Sequence, residues 1–174
     1  SVQSAASAIL LDSNVRLEVA DIQKGEQSAY LDRLGDSKPE MPFGLLISPD
    51  DRTLSLPFKV PQSADDLNET AWNWTEAVVK SASREKILKL APSAYSIALL
   101  VEGNNSASNE KARQSITTAI LEITEFIPSM PKPVDTPPKL ISIKAENLQA
   151  EKILLWSLGM DWNSVEDPQA AVVM

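Results

Sequence analysis

The sequence predicts an α/β fold, a mixed sheet flanked by helices, on three observations. Short runs with apolar residues at every second position mark strands. Longer stretches with apolar residues three and four apart mark helices. The two patterns take turns along the chain, the order that packs helices on a central sheet.

Each element has its own signal. Residues 15–22 place Val15, Leu17 and Val19 on one face and Arg16 and Glu18 on the other, which predicts a half-buried strand. Residues 27–34 read as a short helical turn stopped by Gly35. Residues 43–48 and 53–58 are two strand-like runs, with the turn-forming Pro49, Asp50 and Asp51 between them. They predict a hairpin, and Pro57 predicts an edge position, because proline has no N–H for a further ladder.

Ser63 is the predicted start of a helix, with Asp65 and Asp66 suited to the positive end of its dipole. Leu67, Ala71, Trp74 and Val78 fall on its apolar face. Ser83 is the predicted cap of a second helix over 84–90, ended by Pro92. Residues 95–101 are almost continuously apolar, as in a strand covered on both faces. After the break at Gly103, Ser108 or Asn109 is the predicted cap of the clearest helix. Its stripe is Ala112, Ile116, Ala119, Ile120, Ile123 and Ile127.

Pro128 ends that helix, and Pro131, Pro133, Pro137 and Pro138 predict a stiff connector. A strand over 140–144, a helix from Asn147 to a stop at Gly159, and a last strand over 170–174 complete the order.

Composition narrows the chemistry. With 174 residues, 43% of them hydrophobic, one domain with a packed core is expected. The first residue is not Met and the last four read as a strand, which fits a piece of a longer chain. A net charge of −8 without a Lys/Arg cluster argues against nucleic acid and against an anionic membrane surface. No apolar run is long enough to span a bilayer, so direct membrane insertion is not expected. The segment 1–11 lacks the basic start of a signal peptide. The chain holds no Cys and no His. Thiolate chemistry, disulfide exchange, His-based catalysis and ordinary zinc, copper or iron sites are therefore excluded within it. Carboxylates and hard cations remain.

Three stretches together resemble a known family. Ser81-Ala82-Ser83-Arg84-Glu85-Lys86-Ile87 resembles its S-P-x-R-x-x-I helix start, with Ala82 where the pattern has Pro. Residues 93–103 (SAYSIALLVEG) resemble its S-A-V-W-V-L-L-E-S-G strand, and residues 108–127 the helix that follows. The strand over 140–144 and the helix through 151–159 keep the same order. The family is an uncharacterised bacterial one of thioredoxin-like domains without redox cysteines, and the resemblance covers residues 81–174. It implies a thioredoxin-like fold, and, since members of the family often carry export signals, an exported location. Its members continue into a Gly-Arg-rich segment after the final strand. It implies no activity.

Several residue sets have the chemistry of candidate sites. Asp161, Asn163, Ser164, Glu166 and Asp167 are oxygen-rich, as in a calcium loop. Val165 and Glu166 stand where such a loop wants an oxygen ligand and a glycine, so a solvated loop is the simpler reading. Asp65, Asp66, Glu69 and Glu76 offer paired carboxylates, though acids at a helix start ordinarily serve its dipole. Trp72 and Trp74 lie on opposite sides of a helix, so one faces away from the core. Trp156 reads as core, and Trp162 as either. Asn68, Asn73 and Asn104 open Asn-x-Ser/Thr triplets, two of them in a predicted helix where a glycan is awkward. Arg84, Glu85 and Lys86 mark a solvated helix start, a place that suits a phosphate but here lacks the Gly-rich loop that would hold one.

The expectation is thus a non-catalytic binding or scaffolding module with a protein partner, and no catalytic, cofactor or metal residues are assigned. The alternatives are a carboxylate-dependent hydrolase and a calcium or small-ligand binding protein.

Overall fold

The computed structural model describes residues 2–11, 13–21, 31, 32, 34, 39–130, 136–163 and 165–174. The fold is α/β, as the alternation predicts, and the chain forms two compact units, Ser1–Lys80 and Ser81–Met174.

The first unit contains α1 (Val2–Leu10), β1 (Phe43–Ile47), β2 (Thr53–Pro57) and α2 (Leu67–Val79). Strands β1 and β2 form the expected antiparallel hairpin, in register Phe43↔Pro57 to Ile47↔Thr53. Its turn is built by Ser48, whose N–H donates to the Arg52 carbonyl at 2.9 Å and whose Oγ accepts the Arg52 N–H at 3.0 Å. Asp51 takes a left-handed conformation there (φ 63°), which Asp tolerates better than most residues. Among the described residues the sheet holds these two strands alone, so Pro57 stands on an edge, as expected.

Helix α2 starts at Leu67 rather than at Ser63. The Ser63 Oγ accepts the Asp65 N–H at 3.2 Å, closing a local turn ahead of the helix. Helix α1 packs along α2. Ala6 and Leu10 on the first, and Ala71, Thr75 and Val78 on the second, are buried at the three- and four-residue spacing that puts side chains on one helix face. The Thr75 hydroxyl donates to the Ala71 carbonyl at 2.8 Å, which satisfies it locally. Trp74 ties α2 to the hairpin: its Nε1–H donates to the Pro57 carbonyl at 3.0 Å, and its ring meets Phe58 edge-on at 5.6 Å.

The predicted strand at 15–22 does not form. Val15 to Asp21 are irregular, Leu17 and Val19 are exposed, and no strand pairs with them among the described residues; Ile22 lies outside those residues. Alternation marks a strand only where a partner satisfies its backbone. Of the predicted turn at 27–34, Leu31 and Asp32 are helical and the Leu34 N–H donates to the Leu31 carbonyl at 3.0 Å; the other residues and Gly35 lie outside the described set.

The second unit contains α3 (Ala82–Leu90), β3 (Ile97–Val101), α4 (Ser106–Phe126), β4 (Lys139–Ile143), α5 (Lys152–Ser157) and β5 (Gln169–Val173). The strands form a mixed sheet in the order β4-β3-β5. Strand β3 pairs in parallel with β4 (Ile97↔Lys139) and antiparallel with β5 (Ile97↔Val173).

Both faces of β3 are covered, as its continuous apolar run predicts. Ile97, Leu99 and Val101 join Ile141 and Ile143 in a core with Leu148, Leu154, Leu155, Met160 and Val165, and Ile87 and Leu90 of α3 pack against it. Leu100 points to the opposite face and is fully buried as well.

The ends of the helices correct several expectations. Ser81, not Ser83, caps α3, its Oγ accepting the Arg84 N–H at 3.3 Å. Asn105, not Ser108 or Asn109, caps α4, accepting the N–H groups of Ala107 and Ser108 at 3.1 Å each. Asn109 instead clamps Gly103, accepting its N–H at 2.9 Å and donating to its carbonyl at 2.8 Å. The clamp needs a glycine, since a Cβ there would stand 2.4 Å from the Glu166 carbonyl oxygen.

The stripe of α4 is half-buried rather than buried, and Ala119 is exposed. Ala145–Asn147 forms a 3-10 turn, so α5 begins only at Lys152. Its end is the predicted glycine stop. Gly159 is left-handed (φ 71°), and the Gly159 and Met160 N–H groups return to the carbonyls of Trp156 and Leu155 at 3.0 and 2.9 Å.

Candidate functional site

An open, shallow cleft lies beside β4 in the second unit. Among the described residues, strand β4 pairs with β3 alone and forms an edge of the sheet. The Lys139 N–H donates to the Ser96 carbonyl at 3.0 Å, and the Ile143 carbonyl accepts the Glu102 N–H at 2.8 Å. In a parallel ladder, alternate residues turn their backbone groups to the neighbour. Lys139, Ile141 and Ile143 therefore face β3, and the N–H and C=O groups of Leu140 and Ser142 face outward. Leu140, Ile141 and Ser142 form one wall of a cleft of about 350 Å³, and Lys86, Lys89 and Leu90 of α3 form the other.

The sequence builds each wall for a reason. Lys86 and Lys89 are three residues apart, so they share one side of α3. Lys89 in the last turn also suits the negative end of the helix dipole. Neither lysine is paired with an acid among the described residues. Leu90 and Ile141 give the cleft an apolar floor that is continuous with the core. The Ser142 hydroxyl is fixed by Arg113 of α4, whose Nη1 donates to it at 3.0 Å while Nη2 pairs with Glu102.

A buried carboxylate anchors α3. Glu151 is 4% exposed, and its Oε1 accepts the Ser83 N–H at 2.9 Å. Its Oε2 has no hydrogen-bond partner among the described residues. Burial pushes the Arg84 guanidinium below its ordinary value, and the charge of Glu151 opposes that shift. The start of α3, considered above for a phosphate, is thus already occupied by a carboxylate from this chain. Arg84 is half-buried rather than solvated, and Lys86 belongs to the cleft.

The structure does not gather the other candidates. Val165 lies in the core, and the carbonyls of Val165 and Glu166 accept the N–H groups of Asn104 and Asn105 at 3.0 and 3.2 Å. The Asp161 carboxylate accepts the Asn163 N–H at 3.0 Å. Ser164 lies outside the described residues. Among the described residues, no group of three or more acids is placed to hold a metal ion.

Asp65, Asp66 and Glu69 are exposed, and Glu76 pairs with Lys80 at 2.6 Å. Asn68, Asn73 and Asn104 are exposed. Trp72 is exposed and Trp74 half-buried, which fits their opposite sides of α2. Trp156 is half-buried rather than core, while Trp162 packs against the core.

Sequence reasoning missed Lys89, Leu140, Ile141, Ser142 and Glu151. The pair Lys86 and Lys89 on one short helix was the available signal for the cleft. Nothing local marks Glu151, since its partner Ser83 is far away in the chain.

Comparison with known proteins adds no relative. No family model matches the chain, and neither the curated proteins nor the solved structures gave a significant match. No described helix is long and apolar enough to cross a membrane.

Proposed function

We propose that this chain is a non-catalytic protein-binding module of thioredoxin-like fold, and that the cleft between α3 and β4 is its binding surface. One observation carries the reading. An edge strand with outward-facing backbone groups borders a cationic cleft with an apolar floor. Unsatisfied backbone groups along an edge are the usual template for adding a strand from another chain. The mixed sheet with helices on both faces supports the fold assignment. The lack of thiol and imidazole groups in this sequence supports a binding role over a catalytic one.

The test is site-specific photo-crosslinking in the cells that make the protein. A diazirine side chain placed at Lys89 is expected to capture a protein, while one placed at the exposed Glu110 of α4 captures none. Equal capture at the two positions, or none at either, refutes the assignment. So does turnover of glycoside, ester or peptide substrates by the purified chain.

A further inference from the structure

We infer that the α3–β4 cleft takes an extended, acidic segment of a partner protein, added as a fourth strand along β4. This rests on the reading of the cleft as a protein-binding surface and adds the chemistry of the partner.

Three features select that occupant. First, Leu140 and Ser142 each present one outward N–H and one outward C=O, about 6.6–6.8 Å apart along the strand, which is the repeat that an extended backbone matches. A helix has no free backbone groups to offer them, because its own are bonded internally. Second, side chains on the α3 side of an added strand fall at every second position. They reach Lys86 and Lys89, two cations in a chain of net charge −8. Acids at alternate positions complement that pair, and the apolar floor of Leu90 and Ile141 accommodates their aliphatic stems. Third, two lysines beside an edge disfavour a second copy of β4, which would bring four like charges together.

The experiment uses the full chain and three kinds of synthetic hexapeptide. One is Ac-(Glu-Val)3-amide and one is Ac-(Lys-Val)3-amide. The third kind is the Glu-Val peptide N-methylated at every second residue, in its two alternate forms, each of which blocks one edge of the strand. Backbone amide NMR follows Leu140 and Ser142. The expected result is saturable binding of the Glu-Val peptide, with the largest shifts at those two amides. No binding of the Lys-Val peptide is expected, and only one of the two N-methylated forms should lose binding. The exposed double variant Lys86→Glu/Lys89→Glu should keep its fold by circular dichroism and bind at least about tenfold more weakly, as expected for reversing charges at a polar rim.

Equal binding of the acidic and basic peptides overturns the inference. So does binding that leaves the Leu140 and Ser142 amides unmoved, or that both N-methylated forms retain. Concentration-dependent dimerisation that protects those amides would assign the edge to a second copy and also overturn it. If the Lys89 photo-crosslink forms and the Glu-Val peptide fails, the binding surface stands and only the acidic strand falls. If both fail, both readings fall.

Discussion

Strands β1 and β3 are close to the same sequence, FGLLI against IALLV, yet they have different fates. No residue of β1 is fully buried, whereas four of the five in β3 are. The difference lies in their neighbours. Strand β1 has one partner in a two-stranded sheet, while β3 has a strand on each side and covered faces above and below. Burial is therefore set by position in the sheet rather than by the hydrophobicity of the run.

The largest expected contrast tests that statement directly. Leu99→Ala removes a fully buried side chain and should cost about 2–5 kcal/mol, the usual range for emptying a core site. Leu45→Ala in β1 should cost about 1 kcal/mol, since a half-buried side chain loses less area. Denaturant unfolding followed by hydrogen exchange in each unit measures both. Equal losses would break the comparison.

The buried polar groups of the two units give the next contrast. Glu151→Ala leaves the Ser83 N–H buried without an acceptor and should cost about 1–3 kcal/mol. Glu151→Gln keeps an acceptor and should cost less. Thr75→Val in the first unit deletes a hydroxyl that is satisfied within its own helix, so a loss under about 1 kcal/mol is expected. Melting curves of the three variants rank them, and a Glu151→Ala protein as stable as Thr75→Val would show that Glu151 anchors nothing.

Helix starts give a smaller contrast. Asn105→Ala removes two capping bonds and should cost about 1 kcal/mol. Asp66→Ala, at a start where the side chain makes no capping bond, should stay within about 0.5 kcal/mol of the parent.

The smallest effect belongs to the β1–β2 turn. The Ser48 hydroxyl, and then the Arg52 guanidinium, donate to the Asp50 carboxylate and hold it below its ordinary 3.8. A carboxylate lowered in the folded state contributes stability above its unfolded value, and that contribution is lost as pH falls through the folded value. Carboxyl NMR should therefore place the Asp50 midpoint below 3.8, and Ser48→Ala should raise it more than Arg52→Ala. An unchanged midpoint in Ser48→Ala would remove the hydroxyl as the main cause.

The readable parts of the sequence were those governed by nearby residues. The hairpin followed from two alternating runs around Pro49, Asp50 and Asp51. The end of α5 followed from Gly159. The covered strand at 97–101 followed from its unbroken apolar run. The illegible parts depended on distant partners. Residues 15–21 alternate like a strand but find none to pair with among the described residues. Ser83 looks like a cap, yet its backbone is held by Glu151, so the capping role moves to Ser81. Helix α1 did carry a local signal, since Ala6 and Leu10 stand four residues apart on one face and are buried in the unit where α1 packs along α2. The cleft was illegible because a strand's sequence does not say whether it lies at an edge or in the centre.

One consequence of the strand order concerns assembly. Strands β4 and β5 do not touch each other; each is joined to the sheet only through β3. As a nascent chain grows, β3 emerges first and waits for both flanks, and β4, nearer in sequence, closes the shorter loop. The parallel half of the sheet is thus entropically favoured to dock ahead of the antiparallel half. Until β5 arrives, the hub strand itself is the exposed edge.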